Sequence, residues 1–156
     1  MCENASLMPS DKNLPLVRAA ILCLINRERT SAGERALIPV ASLEAAAQGH
    51  SDDMGYGDYF EHISPDGETP SARMRAAGYL KGVQSYEVGE NIAFGTSWLA
   101  TPRAIVAGWM ASPGHRANIL DRDYRDTGIG ACAHPPASFA GNQRGAVYTQ
   151  DFGVTW

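Results

Sequence analysis

No apolar run in this chain of 156 residues approaches the roughly 20 needed to cross a bilayer, and the longest is Ala19 to Ile25. A membrane span is therefore excluded. Basic runs are missing as well: 13 Lys and Arg stand against 17 Asp and Glu, for a net charge of -4. That removes the electrostatic footprint on which backbone-driven nucleic-acid binding depends, so nucleic acid is not an expected partner. The start, Met1-Cys2-Glu3-Asn4, has neither a basic n-region nor an apolar h-region, and reads as a chain whose leader has been removed. Internal repeats and low-complexity tracts are absent. So are the Gly-x-Ser-x-Gly elbow, a cysteine beside a histidine in a glycine-rich turn, and His-Glu-x-x-His. Gly55-Tyr56-Gly57 follows a helical pattern without the strand or lysine of a phosphate loop.

Cysteine is scarce. Three residues, Cys2, Cys23 and Cys132, allow one internal disulfide at most. Cys2 with Cys23 is the preferred pair; it would staple a polar tail to the first helix and add roughly 3 kcal/mol in an oxidising compartment. The alternative is three small buried apolar side chains. Cys132 reads as an inert thiol in a core strand.

What is present is enough apolar side chain, 44%, for one packed core. Residues 1–13 show no period and read as an extended tail, with a single domain over 14–156. From Pro15, the apolar positions Val17, Ile21 and Leu24 predict an amphipathic helix ending near Gly33. Leu43, Ala46, Ala47, His50 and Met54 predict a second, capped by Ser42, with His50 a satisfied core histidine. Thr69-Pro70 and Thr101-Pro102 each pair an N-cap with a proline at the first helical position. The helix from Thr101 breaks near Pro113, where a further turn restarts. Residues 127–134 and 146–152 read as strands, with 88–94 as a third. Helices around a small sheet, without regular alternation, predict an α+β sandwich.

Four polar segments are left over, around Phe60 to Gly67, Gly89 to Asn91, Ser112 to Asn118 and Tyr148 to Gly153. His62 precedes Ser-Pro-Asp-Gly, the ingredients of a tight turn. It serves either function or the capping of that turn. Glu90 lies in an apolar run, where a half-buried carboxylate needs a donor such as an imidazole. It is either a base or a tie between loops. His115 follows the break at Pro113 and is either a cleft residue or a solvent-facing helix residue. Two imidazoles and a carboxylate match the ligand set of some catalytic zinc sites, so a divalent metal on His62 and His115 is a candidate.

The order of these segments carries a resemblance. Asn26-x-x-Arg29, His50-Ser51-x-Asp53-Met54, Phe60-x-His62-x-Ser64-Pro65-Asp66-Gly67 and Gly89-Glu90-Asn91-Ile92-Ala93 are followed by Gly108-Trp109-Met110-x-Ser112-Pro113-Gly114-His115-Arg116-x-Asn118. Gly128-Ile129-Gly130 and Tyr148-Thr149-Gln150-x-Phe152-Gly153 complete the series. Together they resemble the bacterial branch of the CAP superfamily, the SCP-like extracellular domains, over about residues 16–153. The resemblance implies an α-β-α sandwich with an open cleft, where many members gather two histidines and two acids. His62 and Glu90 match two of the four. Val147 stands where the second family histidine is expected, and Ser112 where the second acid is expected. His115 matches a histidine of the bacterial branch.

Three functions follow as expectations. One is a secreted, monomeric binding domain whose cleft, formed by His62, Glu90, Ser112, His115, Asn118, Tyr148 and Gln150, takes a small molecule, lipid or peptide. The second is an extracellular hydrolase with Glu90 as general base on a water held by His62 and His115, directly or through zinc. The third is an interaction module without a ligand.

Overall fold

The computed structural model describes residues 1–156. Its elements are α1 (Leu14–Ser31), β1 (Ile38–Pro39), α2 (Ala41–Gly57), α3 (Pro70–Ala76), β2 (Tyr86–Thr96), a 3-10 turn (Ser97–Ala100), α4 (Pro102–Ala111), α5 (Pro113–Leu120), β3 (Asp126–Cys132), α6 (Ala137–Ala140) and β4 (Gly145–Thr155). The four strands run in the order β1-β3-β4-β2. β4 is thus central, antiparallel to both β2 and β3, and β2 is an open edge. This is the mixed α and β architecture expected from the sequence.

Alternation along β4 sorts its side chains to two layers. Tyr148 and Phe152 join Val17, Ile21, Ile25 and Trp109 in the larger core beneath α1, α4 and α5. Val147, on the other face, packs with Met54 of α2. Helix α2 lies directly on β3, because a Cβ at Gly128 or Gly130 would meet the backbone of Leu43 or Ala47 at 2.1 or 2.3 Å. The early Asn-x-x-Arg motif also gains a physical role. Asn26 pairs in both directions with the backbone of Leu37, and buried Arg29 donates to the carbonyls of Arg35, Ile119, Asp121 and Tyr124.

Both threonine caps form: Thr69 Oγ1 accepts from Ala72 N–H and Thr101 Oγ1 from Ala104 N–H. Ser42 does not cap α2, which begins one residue earlier after extended Val40 and has no side-chain cap. Cys2 is joined to Cys23, with a Cα separation of 5.8 Å. Cys132 is a free, buried thiol, and desolvation pushes its pKa up to about 11. The expected extended tail instead folds back in turns, because the disulfide and the burial of Cys2 and Ala5 hold it against the domain. No helix is long and apolar enough to cross a membrane.

Candidate functional site

His62 follows the end of α2, on the segment that leads to the Ser64–Gly67 turn, where Gly67 N–H donates to Ser64 O. Its Nδ1 lies 2.9 Å from Glu90 Oε1. An ionised carboxylate only accepts, so Nδ1 carries the proton and Nε2 is turned toward solvent. Glu90 supports the ring from below: its side chain is 2% exposed, against 49% for that of His62. Arg73, from α3, donates through Nη2 to both oxygens of Glu90, at 3.2 and 3.0 Å, and to His62 O at 2.8 Å. One guanidinium therefore fixes both the carboxylate and the histidine backbone.

Asp151 completes this cluster from β4, directly across from Glu90 in the strand register. It is fully buried, and neither carboxylate oxygen meets a hydrogen-bond donor from elsewhere in the protein. Burial, followed by the charge of Glu90, raises its pKa well above the ordinary carboxylate value. Burial also pushes Glu90 upward, but the hydrogen bonds from His62 and Asp151 and the charge of Arg73 outweigh it, and its pKa is lowered. The two shifts diverge as expected for two facing carboxyls that share one proton. His50 closes the cluster. It is 1% exposed, donates from Nε2 to Glu61 O at 2.9 Å and lies 3.8 Å from Glu90. Desolvation lowers its pKa, so the core role expected for it fits.

Beyond His62 opens a cavity of about 640 Å³, bounded by Phe60 and His62 on one side and by α4 on the other. His115 and Ser112 also line it. Ser112 leaves its hydroxyl unused in capping α5. His115 Nδ1 is buried without a partner, and burial, then the nearby charge of His62, lowers that imidazole's pKa. The structure thus brings His62, His115 and Ser112 to one hollow and holds Glu90 behind it. A smaller hollow of about 320 Å³ over β3 holds an ion pair of half-buried Arg18 with Glu44, 3.7 Å apart.

Three residues expected in the cleft lie elsewhere. Tyr148 is fully buried and donates to Ala100 O at 2.6 Å, while Gln150 is fully buried and donates to Thr127 Oγ1 at 3.1 Å. Strand alternation sends both toward α1, away from Glu90 and His62. Asn118 ties α5 to the edge of β2 through Asn91 Oδ1 at 2.9 Å and Glu90 O at 3.4 Å, and does not line the cavity. Conversely, Arg73 and Asp151 were not anticipated. Asp151 left a signal, an acid alternating with Val147 and Thr149 on one face of a buried strand; Arg73 left none.

The donor set does not suit zinc. A catalytic zinc needs three protein ligands, and no three His, Cys, Asp or Glu side chains are arranged here to hold a metal ion. Glu90 is already engaged by Arg73 and His62, and Val147 is a fully buried apolar residue packed on Met54.

A model of the cysteine-rich secretory protein family, CAP, matches residues 22–152. The uncharacterized protein YkwD of Bacillus subtilis is 35% identical over 130 residues, covering 83% of this chain and 44% of YkwD. Among solved structures, an extracellular SCP-domain protein of Bacillus anthracis is 28% identical, with a TM-score of 0.66 over 91% of this chain and 40% of that one. An outer surface protein of Borrelia burgdorferi shares the fold at 19% identity, with a TM-score of 0.69 over 87% of this chain and 90% of its own. The chain thus spans less than half the length of the curated relative and of the Bacillus anthracis structure.

Proposed function

Because the chain belongs to the cysteine-rich secretory protein (CAP) family, we propose that it acts outside the cell as a binding domain whose cleft takes a ligand with an apolar body and a polar end. The observation that carries this reading is the composition of the cavity. Its walls include Phe94, Leu99, Ile105 and Trp109, and its polar residues include two imidazoles, His62 and His115. Pockets for organic ligands combine an apolar lining with a few placed polar groups in this way. The disulfide fits an oxidising compartment.

Hydrolysis with Glu90 as general base has less support. Glu90 does not border the cavity, its oxygens are occupied by Arg73 and His62, and its lowered pKa makes it a poor base. Its role is that of a positioning residue, orienting His62. Position 108 supplies a clean test. Gly108 lines the cavity on α4, and an added Cβ there meets nothing within 4 Å. Gly108→Phe should fill the cleft and leave the fold intact. A thermal-shift panel with palmitate, a random hexapeptide mixture and zinc chloride is expected to raise the wild-type Tm by several degrees for at least one organic probe. The shift should vanish in Gly108→Phe. No shift with any organic probe, or an equal shift in the variant, would refute the reading.

A further inference from the structure

The backbone of β2 says more about the occupant of this cleft. At the two ends of its pairing with β4, Ser97 N–H donates to Arg144 O at 2.7 Å and Trp156 N–H to Ser85 O at 3.0 Å. Hydrogen-bonded pairs alternate along an antiparallel ladder, so the odd-numbered residues of β2 exchange bonds with β4. The even-numbered ones direct N–H and C=O outward, since β2 is the sheet's edge. Two side-chain contacts agree with that parity: Trp109 Nε1–H donates to Ile92 O at 3.0 Å, and Asn118 Nδ2 to Glu90 O at 3.4 Å.

Past those two caps the ladder is open. The N–H of Ile92, both N–H and C=O of Phe94, and the N–H of Thr96 have no partner in the protein. Ile92, Phe94 and Thr96 are also residues that line the 640 Å³ cavity. The floor of the cleft is therefore an unpaired strand edge, flanked by Phe60 and His62 on one side and by Ile105 and Trp109 on the other. An acyl chain has nothing to offer these groups. An extended backbone presents donors and acceptors at the same two-residue spacing.

We infer that the ligand is an extended peptide that adds to β2 as a fifth strand, deepening the binding reading above, on which this rests. Its backbone pairs with Ile92, Phe94 and Thr96, and its alternate side chains contact Phe60 and Phe94 on one face and Ile105 and Trp109 on the other. Four residue rises of ~3.3 Å separate Ile92 from Thr96, so the paired segment is about five residues long. The capped carbonyls of Glu90 and Ile92 end the pairing at the histidine side, because His62 holds Glu90 and His115 O accepts from Asn91 Nδ2 at 3.0 Å. Two imidazoles there can present ring nitrogens to a polar group at that end of the peptide. The edge lies in a recess of about 640 Å³ with walls from α4 and from the Phe60–His62 segment, which a short peptide enters more readily than the edge of a second folded copy. That favours a peptide over self-association.

The test selects binders from an N-acetylated random hexapeptide library on the full chain and remakes each hit with alternate amides N-methylated. Strand addition predicts that hits slow hydrogen exchange at the amides of Ile92, Phe94 and Thr96. It also predicts that methylating the amides facing β2 weakens binding at least tenfold, while methylating the other set does not. Hits indifferent to both methylation patterns would overturn it. So would palmitate occupying the cleft, lost in Gly108→Phe, when no peptide protects those amides; that outcome would leave the binding function standing with a lipid as its ligand. If neither palmitate nor any peptide enters the cleft, both readings fall.

Discussion

The two faces of strand β4 solve opposite problems with alternate residues of one sequence. Toward α1, Tyr148 and Phe152 complete an apolar core, where Tyr148 Oη donates to Ala100 O and Gln150 Nε2 to Thr127 Oγ1. Toward α2 and α3, Asp151 joins Glu90, Arg73 and His50 in a buried cluster that no apolar packing could replace without releasing His62. The first face supplies stability and the second supplies orientation. Buried ion pairs contribute little net stability over apolar residues of similar shape, but removing one partner is costly. The contrast is therefore best broken one residue at a time.

The largest effects come from Arg73→Ala and Phe152→Ala, each expected to cost about 3–5 kcal/mol by chemical denaturation at pH 7. Their pH dependence should separate them. Without Arg73, Glu90 is a buried charge with its main counter-charge gone, and protonating it relieves the penalty. Glu90's native pKa is lowered, so the stability it contributes is present above its unfolded value and lost as pH falls. The cost of Arg73→Ala must then shrink toward pH 4, while that of Phe152→Ala stays constant. Parallel pH profiles for the two variants would show that the cluster is not electrostatically organised.

Legibility in the sequence followed the same division. Where apolar period or cap chemistry decides the structure, sequence and structure agree everywhere but at Ser42: α1 from Val17 and Ile21, the Thr69 and Thr101 caps, the buried His50, and the Cys2–Cys23 bond. The meeting of His62, Glu90 and His115 came from the family resemblance, since nothing local brings positions so far apart together. What failed was face assignment. Tyr148 and Gln150 were placed in the cleft with their motif, although a period of two separates them from Asp151 and sends them to the other core. Arg73 was invisible because a short helix gives no sign of which basic side chain will be drawn inward. The open edge of β2 was equally hidden, since strand order depends on contacts distant in sequence.

A smaller effect sharpens the comparison at Asp151 itself. Folding places this side chain where burial and the charge of Glu90 favour its protonated form, whereas the unfolded chain ionises it near pH ~3.9. Above that pH the native state binds the extra proton, so Asp151 makes the wild type less stable as pH rises toward its native pKa. Asp151→Asn keeps the size and a hydrogen-bond donor toward Glu90 but has no proton to take up. The variant should therefore gain on the wild type by about 1.4 kcal/mol per pH unit, beginning just above pH 4. Paired urea melts at pH 4, 5 and 6 measure this directly. A stability difference that does not change with pH would mean that Asp151 is ionised in the folded protein, and that Glu90 is held in place by Arg73 and His62 alone.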